Sequence, residues 1–194
     1  MIGNDIIDLQ VAEKESNWQR KGFLEKQFTP KEQIVIHASE NPFKTVWRLW
    51  SMKESVYKIV VQQQHKRFFA PQKLECKMLS ETDGEVQFEN QYFPTKTIRT
   101  DTYIYTTTGQ SDLSWLGMAA SNNRITEIIA QKLHIDEVEI MKNEVGVPSV
   151  YHKNEQISQS FSKTHHGAYQ AFEINLVRAS LKVKPLLENK IKNE

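Results

Sequence analysis

The segment FKTVWRLWSMKESVYKIVVQQQ, residues 43–64, constrains the fold more than any other part of the chain. It contains neither Gly nor Pro, which predicts one long helix. One face of that helix carries, at core-facing spacing, Trp47, Trp50, Glu54, Tyr57 and Val61. Glu54 is therefore an acid within an aromatic stripe, and this is an unusual place for a carboxylate.

Two lysines accompany Glu54 on the predicted helix. Lys53 interrupts a neighbouring apolar stripe, and Lys58 follows Glu54 by four residues, so that Glu54 and Lys58 can reach the same place. An isolated pair with this spacing is usually a solvated ion pair worth about 0.3–0.5 kcal/mol. The aromatic surroundings of Glu54 favour a functional role, but the sequence leaves both interpretations open.

The predicted first strand also carries carboxylates among apolar residues. In GNDIIDL, alternation places Asp5 on one face with Ile7 and Leu9, while Asp8 lies on the other face near the strand end. A buried Asp5 needs a cation or hydrogen-bond donors. For Asp8, solvation or helix capping is the simpler interpretation, with metal binding as the alternative.

Composition places few limits on function. The chain has 194 residues, enough for one domain or two small halves with a shared core, and its formal net charge of +1 gives no global signal for nucleic acid. A single cysteine suits a reducing compartment, and no apolar run reaches membrane-spanning length. We therefore expect a cytoplasmic protein that binds neither nucleic acid nor membrane.

The order of predicted elements indicates an α+β protein. A first strand precedes helices, one of which starts at FTPKE with Thr29 as cap and Glu32 completing a capping box. Hairpins are predicted around Asp83-Gly84 and around Gly109-Gln110, followed by a helix and further strands. This order suggests two similar halves, residues 1–100 and 101–194, in one compact unit.

Asp5, Glu54 and the two lysines together suit phosphate chemistry. Mg²⁺ typically takes one or two carboxylates together with water and phosphate oxygens, so Asp5 and Glu54 are candidate ligands. Lys53 and Lys58 would neutralise phosphate oxygens during transfer.

These residues resemble the 4′-phosphopantetheinyl transferase superfamily. GNDIID matches a G-x-D-I motif and, with FLEKQFTPKE, resembles the holo-acyl-carrier-protein synthase type. WSMKESVYK matches W/F-x-x-K-E-S/A-x-x-K and resembles the larger surfactin-synthetase-activating type. The match covers about the first third of the chain.

The resemblance implies Mg²⁺-dependent transfer of the phosphopantetheine arm of coenzyme A to a serine of an acyl or peptidyl carrier protein, as in fatty acid or polyketide biosynthesis. It implies two α+β halves in a pseudo-twofold arrangement with the site between them, in a pseudodimeric monomer. Asp5 and Glu54 correspond to the metal-binding acids, and Glu54 is also a candidate for activating the acceptor serine. Lys53 and Lys58 correspond to lysines that contact the coenzyme A phosphates.

The second half resembles the larger type in part. GVPSV and SFSKTHHGAYQAFEI resemble its G-K-P turn and S-H-S-G region, and His165 corresponds to a histidine near the 3′-phosphate. Val147 stands where that turn has lysine, and Ile7 stands where the larger type has a second acid; Asp8 matches an acid of the smaller type. Arg124, at the start of the helix SNNRITEIIAQKL, is a candidate phosphate contact or a surface residue.

We therefore predict a phosphopantetheinyl transferase. The alternative is a non-catalytic module of the same fold that binds coenzyme A or a carrier protein, which the departures at Val147 and Ile7 would suit. A third possibility is an ordinary α+β domain in which the acids are only solvated.

Overall fold

A computed structural model describes residues 1–118 and 122–177 of the chain. Its helices are α1 (Leu9–Glu15), α2 (Phe23–Gln27), α3 (Pro30–Ala38), α4 (Pro42–Gln64) and α5 (Asn122–Leu133), with a 3₁₀ turn at Pro71–Lys73. Its strands are β1 (Gly3–Asp8), β2 (Leu74–Met78), β3 (Asp83–Phe88), β4 (Gln91–Arg99), β5 (Tyr103–Thr108), β6 (Leu113–Met118), β7 (Val138–Lys142), β8 (Pro148–His152), β9 (Glu155–Gln156), β10 (Ser158–His166) and β11 (Tyr169–Leu176). The predicted α+β class is confirmed.

The long helix α4 packs across a five-stranded antiparallel sheet of order β1-β5-β4-β3-β2. Its buried residues Val46, Met52 and Val56 share a core with Val86 and Ile104 of the sheet. The helix crosses β1 at Gly3, where a Cβ would collide with the carbonyl oxygen of Ser55. This close approach brings Asp5 of β1 near the middle of α4.

Local sequence signals define the helix ends. Thr29 and Glu32 form the predicted capping box at α3, with Pro30 at its first position. At α4 the Asn41 side chain accepts a hydrogen bond from the Lys44 N–H, and the helix ends at His65, which has a left-handed backbone. Between these two ends, Glu54 lies midway along α4.

The second part of the chain forms two smaller sheets and a separate core. The orders are β10-β11-β6 and β7-β8-β9, and the shared apolar cluster includes Ile129 of α5, Val150 of β8 and Phe172 of β11. The two sheets together with α5 form the second layer of the molecule.

Side chains from β10 join the two parts along the free edge of β1. Every second backbone N–H from Ile2 to Asp8 donates to a β10 side chain, at 2.8–3.3 Å, the pairs being Ile2–Ser160, Asn4–Ser162, Ile6–Thr164 and Asp8–His166. Hydroxyl and imidazole groups here replace the carbonyls of a normal sheet neighbour. This ladder places the two parts in a definite register beside Asp5.

Of the two predicted hairpins, the structure contains the first and lacks the second. The hairpin before Phe88 is confirmed, although its turn precedes Asp83. The hairpin predicted around Gly109-Gln110 is wrong: β5 pairs with β1 and β4, whereas β6 pairs with β11 in another sheet. Gly109 has a φ of 83°, which turns the chain, but both edges of β5 are already occupied.

The boundary predicted at residue 100 falls between two strands of one sheet, because β5 follows it and still pairs with β1.

Within residues 1–118 and 122–177, no helix has the length and apolar character needed to cross a bilayer.

Candidate active site

Asp5 is a buried carboxylate with one oxygen satisfied and one not. Its Oδ1 atom accepts a hydrogen bond from the Thr164 hydroxyl at 3.1 Å and lies 3.4 Å from Lys58 Nζ. Its Oδ2 atom is buried without a hydrogen-bond partner among the described residues. Burial raises the pKa of Asp5, against the lowering effects of Lys58 and Thr164. An unsatisfied oxygen of this kind marks a place for a cation or donor.

Glu54 lies on α4, half-buried, and its carboxylate has no hydrogen-bond or ion-pair partner in the described part of the chain. Burial, together with the neighbouring charge of Asp5, raises the pKa of Glu54 to about 7, while Lys58 acts in the opposite direction. Asp5 and Glu54 both line a cavity of about 450 Å³, which Trp47, Trp50 and His166 also border. The cavity thus brings together the two carboxylates that the sequence singled out.

This pair of carboxylates suits a divalent cation. Burial disfavours the ionised form of both carboxyl groups, and the charge of Asp5 also disfavours ionisation of Glu54. A cation between the two groups would stabilise both ionised forms. Among residues 1–118 and 122–177 there is no cluster of three or more His, Cys, Asp or Glu side chains that could hold a metal. Mg²⁺ needs fewer protein ligands than that, because it usually keeps several waters and binds substrate phosphate.

Lys58 connects the carboxylates to a second, larger cleft. Its Nζ atom donates to the Asn4 carbonyl at 2.5 Å and lies beside Asp5, and the side chain is 26% exposed. It lines a cleft of about 530 Å³ between α4, the turn before β8, and β10. Its position therefore suits contact with an anion in the cleft.

Lys53 lies in the core. Its Nζ atom donates to Glu32 Oε2 at 2.8 Å and to the carbonyls of Pro71 and Leu74 at 2.9 and 2.6 Å. The side chain is 1% exposed, so all three donors are committed inside the protein. The predicted contact between Lys53 and a phosphate would require Lys53 to break its ion pair with Glu32. The position of Lys53 therefore favours a structural role.

Asp8 caps α1, which is the simpler of the two interpretations that the sequence allowed. Its Oδ1 accepts from the Gln10 and Val11 N–H groups, and its Oδ2 accepts from the Ala168 N–H at 2.9 Å. Burial would raise the pKa of Asp8, but these three donors together lower it. A metal at Asp8 would have to compete with donors on both oxygens.

His165 lies where the two cavities meet, since it borders both the carboxylate cavity and the larger cleft. It is exposed. Val147 also lines the larger cleft, in the turn where the resemblance led us to expect a lysine. Arg124 lies elsewhere: it is exposed on α5, 3.6 Å from Glu127, and is not among the residues that line either cavity.

Several residues at the site were missed from the sequence. Thr164 holds Asp5, and the basic residues Lys142 and Lys163 line the larger cleft. The period-two series Ser160, Ser162, Thr164 and His166 could have identified one face of β10, and Lys163 and His165 then belong to the opposite face. No local signal distinguishes Lys142 from a surface lysine.

Comparison with known proteins confirms the family resemblance that the sequence indicated. The family model described as the 4′-phosphopantetheinyl transferase superfamily matches residues 1–108, which is more than half of the chain. This range contains β1, α4 and the whole five-stranded sheet. No curated protein matches the chain.

Proposed function

Because the chain belongs to the 4′-phosphopantetheinyl transferase superfamily, we propose that it transfers the phosphopantetheine arm of coenzyme A to a serine of an acyl or peptidyl carrier protein. The observation that carries this proposal is the shared cavity of Asp5 and Glu54 beside a cleft lined by basic side chains. Family membership gives the class of reaction, and the cavity supplies groups that can perform it.

Coenzyme A would lie in the larger cleft. Lys58, Arg67, Lys142, Lys163 and His165 line this cleft, and Glu54 is the one acidic side chain among the described lining residues. A cleft with this charge balance attracts an anion, and its volume of about 530 Å³ is within the usual range for small-molecule sites. We propose that the pyrophosphate lies near Lys58, where the cleft meets the carboxylates.

Asp5 and Glu54 would hold Mg²⁺, which supplies positive charge to the pyrophosphate oxygens when bound. The unsatisfied Oδ2 atom of Asp5 and the unpaired Glu54 carboxylate fit this role among the described residues. Asp8 is proposed to support the site through α1 rather than as a ligand, given its three backbone partners.

In the proposed reaction the serine hydroxyl of the carrier attacks the β-phosphorus of coenzyme A, which carries the pantetheine arm. A new P–O bond to serine forms, and the bond to the oxygen of the nucleotide's 5′-phosphate breaks. Glu54 accepts the serine proton as a general base, because it is the carboxylate that lines both the cavity and the larger cleft. Lys58 offsets negative charge on the departing adenosine 3′,5′-bisphosphate.

We also propose that the monomer contains two related halves about a pseudo-twofold axis. This arrangement is supported by the layer of α4 on its sheet in residues 1–108 and by a second layer of small sheets with α5. The β10 ladder along β1 would then hold the halves on either side of the site.

The experiment is to incubate the chain with coenzyme A, Mg²⁺ and a panel of apo carrier proteins of fatty-acid, polyketide and peptide type, and then to weigh each carrier. A mass increase of one phosphopantetheine arm on at least one carrier is expected. A different result would indicate a non-catalytic binding module. In that case no carrier gains mass, and coenzyme A binds with an affinity that neither Mg²⁺ nor Glu54→Ala changes.

A further inference from the structure

His166, the last residue of β10, is a half-buried side chain that borders the carboxylate cavity. Unlike Glu54 and His165, it is not among the residues that line the larger cleft. Much of the cavity wall around it is apolar, and is formed by Ile7, Phe23, Trp47 and Trp50. His166 therefore lies in the part of the cavity that is not shared with the larger cleft.

A hydrogen bond at Nδ1 determines which ring nitrogen of His166 carries the hydrogen. The backbone N–H of Asp8 donates to His166 Nδ1 at 2.8 Å. A backbone amide can only donate, so Nδ1 has a free lone pair and the neutral ring carries its hydrogen on Nε2. Within residues 1–118 and 122–177, Nε2 has no hydrogen-bond partner. The ring thus presents an N–H donor that no described protein atom uses.

Asp8 and the turn after β10 hold the ring in this orientation. Asp8 Oδ2 accepts a hydrogen bond from the Ala168 N–H at 2.9 Å, so Asp8 contacts the turn on both sides of Gly167. Gly167 has a φ of 53°, and a Cβ there would collide with Asp8 Oδ2. Because Asp8 also caps α1, the ring is fixed to the first part of the molecule as well as to β10. A donor fixed from two elements loses little conformational entropy when it binds a substrate.

The geometry of phosphoryl transfer determines the side from which a carrier serine would enter. The attacking and leaving oxygens lie roughly in line, with the phosphorus between them. With coenzyme A in the larger cleft, the leaving oxygen faces that cleft and the serine oxygen approaches from the carboxylate cavity. Glu54 borders both spaces, whereas His166 borders the space that the serine enters.

We propose that His166 is a further catalytic residue, whose Nε2–H donates a hydrogen bond to the hydroxyl oxygen of the carrier serine and orients that oxygen toward the phosphorus. This inference rests on the proposed function for the identity of the nucleophile. Glu54 takes the serine proton, the new P–O bond forms as the bond to the leaving oxygen breaks, and His166 keeps its Nε2 hydrogen throughout. His166 is a donor rather than a second base, because its free lone pair already accepts from Asp8.

Two substitutions separate the roles of the two ring nitrogens. In His166→Asn the amide oxygen follows Cγ as Nδ1 does, so it can still accept from the Asp8 N–H, while the Nε2 donor is lost. In His166→Gln the amide nitrogen can take the place of Nε2, while the acceptor for Asp8 is lost. His37→Asn, at an exposed histidine of α3 that lines neither cavity, is the matched control.

The experiment measures three properties of the full chain: the rate at which an apo carrier gains mass, the affinity for coenzyme A by calorimetry, and the midpoint of urea unfolding. His166→Asn should keep the midpoint and the coenzyme A affinity, but kcat/KM for the carrier should fall by about tenfold, as expected for one hydrogen bond. His166→Gln should have the lower midpoint and should retain more of kcat/KM than His166→Asn. The control should match the unmodified chain in all three properties.

An unchanged kcat/KM in His166→Asn would overturn the inference and leave the proposed transfer intact. A loss of kcat/KM that follows the loss of stability, and is therefore greatest in His166→Gln, would also overturn it, because the role of His166 would then be structural. Weaker coenzyme A binding in His166→Asn would overturn the contact with serine and assign the ring to the nucleotide. If the unmodified chain modifies no carrier, the proposed transfer itself fails, and the serine contact fails with it.

Discussion

The hydroxyl of Thr164 connects the two parts of the molecule through Asp5. It donates to Asp5 Oδ1 at 3.1 Å and accepts a hydrogen bond from the Ile6 N–H at 3.3 Å. Thr164 therefore orients the carboxylate of one part from a strand of the other, and it leaves Oδ2 as the atom without a partner among the described residues. The position of Asp5 depends on β10 as much as on β1.

Replacing Thr164 tests this connection. Thr164→Val should lower the free energy of unfolding by about 1–3 kcal/mol, because the buried Ile6 N–H and Asp5 Oδ1 both lose a partner. Thr164→Ser keeps the hydroxyl and should cost less. Urea unfolding of the three proteins measures the difference, and equal stability of the Val and Ser variants would contradict the account.

The raised pKa of Glu54 predicts a pH-dependent effect of its removal. The folded chain keeps the proton up to about pH 7, whereas the unfolded chain releases it near the ordinary value of 4.5. Between pH 4.5 and about 7 the folded state therefore binds more protons than the unfolded state. The contribution of Glu54 to the free energy of unfolding falls as the pH rises through this range. Glu54→Gln should therefore be more stable than the unmodified chain by about 1–3 kcal/mol at pH 8 in a chelator, with little difference at pH 4.5.

Urea unfolding at the two pH values measures this effect. A gain that is the same at both pH values would show that it arises from packing rather than from ionisation of Glu54. A loss of stability at pH 8 would contradict the assigned direction of the pKa shift.

The buried pair Lys53–Glu32 should matter for stability more than an exposed pair does. Lys53→Met leaves a buried carboxylate that still accepts from the Thr29 and Cys76 N–H groups but lacks its cation, and should cost about 3–5 kcal/mol. The matched control is Lys31→Met, which breaks the exposed pair with Glu75 and should leave the free energy of unfolding almost unchanged. Similar costs for both variants, measured by urea unfolding, would show that Lys53 is not structural.

The sequence was most informative where one element determines the chemistry. Alternation along β1 and the helical stripe on α4 identified Asp5 and Glu54, and the structure places both on one cavity. The capping box at Thr29 was predictable for the same reason, because both partners lie within four residues of the chain.

Contacts between distant elements were not predictable. In the sequence motif, Lys53 and Lys58 both looked like phosphate contacts. The partner of Lys53, Glu32, lies on another helix, so the ion pair could be identified only from the structure. Strand β4 was missed because Pro94 argues against a strand and because threonines, Thr95 and Thr97, occupy two of its buried positions. The hairpin predicted at Gly109 was wrong because long-range pairing decides which strands are neighbours in a sheet.

A divalent cation should stabilise the chain through Asp5 and Glu54. Adding Mg²⁺ at pH 8 should raise the melting temperature of the unmodified chain and of Asp101→Asn, an exposed control. It should have little effect on Asp5→Asn or Glu54→Gln. Comparing each variant with and without the cation removes differences in intrinsic stability, and an equal rise in all four proteins would exclude the carboxylate pair as the binding site.

We propose that arm transfer occurs at the cavity of Asp5 and Glu54. This proposal is tested most directly by the mass of an apo carrier after incubation with coenzyme A, Mg²⁺ and either the unmodified chain, Glu54→Gln or the control Lys77→Met, at an exposed lysine of β2. A gain of one phosphopantetheine arm is expected with the unmodified chain and the control, and the rate should fall by about a hundredfold or more with Glu54→Gln. An undiminished rate with Glu54→Gln, or no gain on any carrier with the unmodified chain, would contradict it.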